Sequence, residues 1–200
     1  AAFAELLQVE NTPEETSCSE SDHVFKSQLD LQGITVEDSS KKFKFIHLNG
    51  AHVPYIYDKD MNIINELDGT YEQSAQATMV GAMDYVEHLR NSEAYDNTVL
   101  IVMSDHGYNG SLGQSGEATW MRQCALLLIK GRNEHHDTMQ ISQAPISFED
   151  LQEAYVRLLD GRRRDEVFDW KEGDARERRF LRYSFLDDDH MQEYIQTGYA

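Results

Sequence analysis

The sequence predicts an α/β domain built on a mostly parallel sheet with helices on its faces. Three features carry that expectation. Two short apolar runs, "TVLIVMS" and "CALLLIKG", have the unbroken hydrophobicity of strands buried on both faces of a parallel sheet. A third run, "KKFKFIHLNG", is rich in aromatic and branched residues and ends at Asn49-Gly50. The run "GTYEQSAQATMVGAMDYVEHLRNSEAYDN" lies between the strand-like segments and has helical periodicity, so the order is strand, helix, strand, strand, helix.

In chain order, "AAFAELLQ" is helix-like and "QVENTPEETSCSESD" reads as a polar loop. "HVFKSQLDLQGITV" is mixed and only weakly periodic. A strand is expected from Lys42 to Leu48. The long helix follows, with Ala75, Met79, Met83, Val86 and Leu89 spaced by three or four and polar residues on the other side. That stripe is expected to pack on a sheet face. Asp96-Asn97 is a turn, and Val99–Met103 and Ala125–Ile129 are expected to be central, buried strands. "SFEDLQEAYVRLLDG" offers Ser147 as a helix cap, Glu149 and Asp150 in the first turn, and a stop at Gly161. The charged tail holds turns and one more strand candidate, "RFLRYSF".

Two hundred residues suffice for one domain with a proper core, so residues 1–200 are expected to form a single domain. The net charge of −18 argues against nucleic acid and anionic membrane as partners, since both require a positive footprint. Cys18 and Cys124 do not make a disulfide framework. Cys124 opens an apolar run and is expected in the core. No apolar run approaches the roughly 20 residues of a membrane span, and no signal peptide is present, which predicts a soluble chain. The helix-like opening without an initiator Met suggests an excised piece of something longer.

Ligands of parallel α/β sheets gather beyond the carboxyl ends of the strands. Two strand ends here are polar and contain glycine: the segment through His47, Asn49, Gly50 and His52, and the segment Ser104-Asp105-His106-Gly107. If both strands run parallel, His52, Asp105 and His106 converge at one edge of the sheet, close enough to share a ligand. A carboxylate oxygen beside an imidazole nitrogen suits zinc or manganese. Each of these residues also has a plainer reading. Asp-His-Gly can be a cap or turn, His52 a turn residue, and His47 a buried imidazole satisfied by hydrogen bonds. His135-His136 reads as an exposed loop pair.

"FIHLNGAHVPY" followed by "YDNTVLIVMSDHG" resembles the carboxy-terminal half of the sulfatase-like branch of the alkaline phosphatase superfamily, which includes arylsulfatases, phosphoethanolamine transferases and lipoteichoic acid synthases. The resemblance spans roughly residues 40–160, and the ending "RERRFLRYSFLDDDHMQEYIQTGYA" is similar to endings of bacterial membrane-anchored members. It implies the carboxy-terminal portion of an alkaline-phosphatase-like fold. It also implies that Asp105 and His106 are metal ligands, that His52 touches the phosphate or sulfate of the substrate, and that His47 and Asn49 support them. The implied cofactor is a divalent metal (zinc, manganese or calcium), absent from or weakly bound to this chain alone. The implied substrate is a small or lipid-linked phosphate or sulfate ester. The implied location of the parent is the extracytoplasmic face of a cell membrane.

The family's nucleophile is a Thr, Ser or formylglycine-forming Cys on an earlier strand-to-helix turn, with acidic metal ligands upstream. Cys18, in "TSCSESD", lacks the Pro and Arg of the sulfatase cysteine motif. Many relatives carry a histidine soon after Asp-His-Gly, whereas "YNGSLGQSGEATWMRQ" has none. The resemblance therefore implies a sulfatase-like hydrolase or phospho-group transferase whose nucleophile lies outside this chain, leaving the chain inactive alone. Two alternatives stay open: a non-catalytic binding or structural module that keeps the sulfatase-like fold, and an unrelated small α/β binding protein.

Overall fold

The computed structural model describes residues 20–36, 41–108, 124–183 and 191–196. The helix-like 1–8 segment, Cys18 and most of "YNGSLGQSGEATWMRQ" lie outside them. Two compact units divide the chain, one up to Asp96 and one from Asn97.

The first unit is built on two helices, α1 (Ser21–Gln32) and α2 (Tyr71–Asn91), which pack against each other. α2 begins at a capping box. Thr70 Oγ1 accepts from the Gln73 amide at 3.2 Å, and Gln73 Oε1 accepts from the Thr70 amide at 3.0 Å, satisfying two of the free amides at a helix start. Its buried positions are Ser74, Ala77, Gly81, Val86 and Leu89, while Met83 is exposed. Of the expected stripe, Val86 and Leu89 are buried, Ala75 and Met79 are half-buried, and Met83 departs from it. Among the described residues of the first unit there is no sheet to receive α2, and the small side of the helix receives a loop instead. That loop, residues 55–68, closes through an Ile64 amide bonded to Ile56 O and a single bridge between Tyr57 and Ile63. It drives Met61 (1 % exposed) onto Ala77 and Gly81, where a Cβ on Gly81 would stand 2.8 Å from the Met61 methyl.

In the second unit β1 (Leu100–Met103) pairs with β2 (Leu127–Lys130) in antiparallel register, Ile101 opposite Ile129. A 3-10 turn at Phe148–Asp150 leads into α3 (Leu151–Leu159). Ala154 and Leu158 of α3 form a cluster with Val167, against which Val99, Ile101, Ile129 and Phe168 pack. Ser147 caps this turn as expected, its amide donating to Asp150 Oδ2 at 2.8 Å. Asp150 also receives Arg176 at 2.6 Å, and that guanidinium lies 4.6 Å from the Trp170 ring, which ties the tail to the start of α3. β3 (Arg178–Tyr183) overlaps the expected "RFLRYSF" strand, whose last two residues lie outside the described ones, and pairs antiparallel with β4 (Met191–Gln196), Phe180 stacking on Tyr194.

These facts overturn the mostly parallel sheet with helices on its faces, and with it the alkaline-phosphatase-like sheet that the resemblance implied. Among the described residues both sheets are two-stranded and antiparallel. The reason is that an apolar run specifies burial, not direction. β1 and β2 are half-buried on a two-stranded ladder rather than enclosed in a sheet. The Lys42–Leu48 strand is also absent. The segment forms no regular element, and Phe43 and Phe45 are each 79 % exposed. A strand requires a neighbour for its amides and carbonyls, and no backbone ladder involves residues 42–48 among those described. Cys124, expected in the core, is exposed.

Candidate functional site

The sequence-predicted residues fall in both units: His47, Asn49 and His52 in the first, Asp105 and His106 in the second.

His52 follows a tight turn at Asn49–Ala51, where Gly50 takes φ 65°, a conformation open to glycine at no steric penalty. The turn does not end a strand, so the expectation that both motifs close parallel strands of one sheet fails with that sheet. The His52 side chain is exposed, and its Nδ1 lies 2.6 Å from the Val53 carbonyl. A carbonyl only accepts, so Nδ1 carries the proton and Nε2 is left for an outside partner. His47 is exposed, with its ring 6.4 Å from that of Phe45, and so is not the buried imidazole that a strand position suggested.

Asn49 is held by a residue that the sequence does not advertise. Asp22, near the start of α1, is 0 % exposed. Its Oδ1 accepts from the Asn49 amide at 2.8 Å and its Oδ2 from the Gly50 amide at 2.9 Å. Asn49 Nδ2 donates to Ser21 Oγ at 3.1 Å, and Ser21 Oγ lies 3.3 Å from Asp22 Oδ1. An acid in the first turn of a helix is commonplace, so its burial and its reach to a loop 27 residues on are not legible from the sequence.

Asp105 and His106 follow β1 directly. Ser104 secures that strand end: its amide donates to Leu126 O at 3.1 Å, and its Oγ accepts from the Leu126 amide at 2.8 Å. The Asp105 side chain is 88 % exposed, with Oδ1 accepting from the His106 amide at 2.9 Å. His106 Nδ1 lies 2.6 Å from Gly107 O, which fixes the proton on Nδ1 and directs the lone pair to Nε2, the tautomer a metal-ligating histidine needs. Asp105 Oδ2 and His106 Nε2 are 3.7 Å apart. Two bonds of about 2.1 Å at a tetrahedral angle span roughly 3.4 Å, so the pair stands a few tenths of an ångström wider than a shared divalent cation would draw it. It supplies two ligands only. Among the described residues no group of three or more His, Cys, Asp or Glu side chains is arranged to hold a metal. His135 and His136 are exposed as expected, and His136 Nε2 is 2.9 Å from Glu134 Oε1.

No helix among the described residues is long and apolar enough to cross a membrane. No protein-family model, no curated protein and no solved structure matches the chain.

Proposed function

We propose that the chain is the carboxy-terminal part of a metal-dependent, sulfatase-like hydrolase or phospho-group transferase that acts on sulfate or phosphate esters at the extracytoplasmic face of a membrane. The observation that supports this reading best is the Asp105–His106 pair: two donor atoms 3.7 Å apart at a strand end, with the imidazole tautomer already committed. His52, with Nε2 available beside an ordered turn, suits contact with an oxyanion once that nitrogen also carries a proton. Asn49 supports His52 through its backbone, whereas His47 has the weaker claim, being exposed beside Phe45.

A bound zinc, manganese or calcium ion would neutralise charge on the ester oxygens and lower the pKa of an attacking group. Within this chain Asp105 and His106 supply the donor atoms, and Gly107 O holds the imidazole in its tautomer. No nucleophile is assigned to these residues, so the chain by itself does not turn over esters. Members of a cooperating site act as a unit, and losing the nucleophile removes most of the rate enhancement.

The coding sequence upstream of Ala1 tests the reading. A Thr, Ser or Cys on a strand-to-helix turn, with an earlier Asp or Glu, and aryl phosphatase or sulfatase activity of the longer product abolished by Asp105→Ala, are the expected results. A longer product without such a residue, inert with added zinc, manganese or calcium, would replace the enzyme by the non-catalytic module.

A further inference from the structure

His52 is exposed, and among the described residues its imidazole meets the carbonyl of its own neighbour Val53, so the place of the imidazole depends on what holds the turn that carries it. The first turn of α1 does this from both sides. Ahead of His52, the Asp22 carboxylate takes the Asn49 and Gly50 amides, one on each oxygen, and Ser21 takes the Asn49 side chain. Behind His52, the His23 amide lies 3.3 Å from the Tyr57 hydroxyl and His23 Nδ1 lies 3.2 Å from Met61 O. Three consecutive residues therefore clasp both ends of the segment that carries His52, and Met61 is in turn locked on α2.

We propose that Asp22 is the positioning residue for His52, its buried carboxylate holding the Asn49–Gly50 turn in the conformation from which the imidazole meets an oxyanion. The assignment of an oxyanion to His52 rests on the proposed function; the clasp itself does not. A helix-start aspartate serving only its own helix would be exposed and bonded to amides of the first turn. Asp22 is fully buried, and the amides it accepts from are 27 and 28 residues away. A carboxylate is suited to this task because it accepts on both oxygens. Asparagine of the same shape would present an NH2 group to one of the two amides, leaving two donors facing each other.

The test uses the whole chain, isotopically labelled, in NMR spectra of backbone amides and imidazole rings. In the unmodified protein the Asn49 and Gly50 amides exchange at least about tenfold more slowly than those of the exposed residues Lys44 and Phe45. Fast exchange at both would overturn the clasp without any variant. In Asp22→Asn the Asn49 and Gly50 protection is lost and the His52 ring resonances move, while the α2 amides of Val86 and Leu89 report an intact fold. Ser21→Ala, a milder change, moves the His52 ring in the same direction by less and keeps the test available should Asp22→Asn fail to fold. Inorganic phosphate is then titrated. Asp22→Asn weakens its effect on His52 about tenfold, and the double variant Asp22→Asn/His52→Ala binds phosphate no worse than His52→Ala alone, the signature of a residue that acts through another. His52 resonances unmoved by both Asp22→Asn and Ser21→Ala would overturn the proposal, as would additive losses. Phosphate without effect on His52 in the unmodified protein would instead defeat the oxyanion assignment and leave the clasp to stand on its amides.

Discussion

Replacing Met61 by alanine should destabilise the first unit by about 3 kcal/mol. Met61 is 1 % exposed, packed on Tyr57 and Ala77, and its methyl occupies the space that a side chain at Gly81 would need. Truncation to alanine removes three heavy atoms from a closed site, and buried Met→Ala changes lie at about 2–5 kcal/mol. Alanine keeps a Cβ, so the strain of φ 65° at this position is common to both proteins and the change reports packing. Gly81→Ala separates the terms. Alanine favours the helix by about 1 kcal/mol over glycine. Its Cβ, however, would sit 2.8 Å from the flexible end of Met61, so part of that gain is returned as crowding and the net change stays within about 1 kcal/mol. With Met61 already truncated, the new methyl enters the vacated space. The double variant should therefore be more stable than the sum of the singles by about 1 kcal/mol. Native-state hydrogen exchange of the α2 amides reads each free energy. A loss below about 1 kcal/mol for Met61→Ala, or strict additivity of the pair, would refute this account of the loop–helix contact.

Leu158→Ala opens the other core, where Leu158 is buried with Ala154 and Val167, and should lower the second unit's stability by about 2–5 kcal/mol in urea unfolding. Thr70→Ala removes the acceptor of the α2 capping box and should weaken that helix by about 1 kcal/mol, read as faster exchange of the Gln73 amide. The Lys26 ammonium, 2.8 Å away, holds the Asp30 carboxyl below its usual range. A group depressed on folding stabilises the folded state above its unfolded pKa, and that contribution is lost as pH falls through the folded value. The stability difference between the unmodified protein and Lys26→Met should accordingly be present at pH 7 and shrink below about pH 4. A difference that grows on acidification would contradict the pairing. Because Asp30 is half exposed, the effect is a small one.

How far the sequence reveals this structure depends on whether an element is defined by its own residues or by its neighbours. α2 and α3 are self-contained. Their periodic apolar positions place them, and Ser147 marks the turn that leads into α3, although the Thr70 capping box is seen only in the structure and the buried side of α2 follows from Met61 and Gly81, which a helical stripe does not show. β1 and β2 are visible as apolar runs, but Ile101 opposite Ile129 in antiparallel register is a property of the pair. Residues 42–48 have the composition of a strand without a ladder to join, and so lie exposed. β4, "MQEYIQ", carries too few branched residues to stand out alone. At the candidate site the histidines and Asp105 are conspicuous as residue types. Asp22 is not, because its significance lies in amides brought to it by the fold.

The most direct test of the metal-pair reading is a manganese titration of the labelled chain, followed by paramagnetic broadening. The highly charged surface offers other carboxylates, among them the exposed Asp60 beside Lys59, so the order of broadening is decisive rather than its occurrence. The His106 ring and the Asp105 amide should broaden at the lowest manganese concentration, zinc should compete, and Asp105→Ala should bring His106 back to the behaviour of the surface carboxylates. Broadening that begins at Asp58–Asp60 and reaches His106 no earlier, or that Asp105→Ala leaves unchanged, would contradict it.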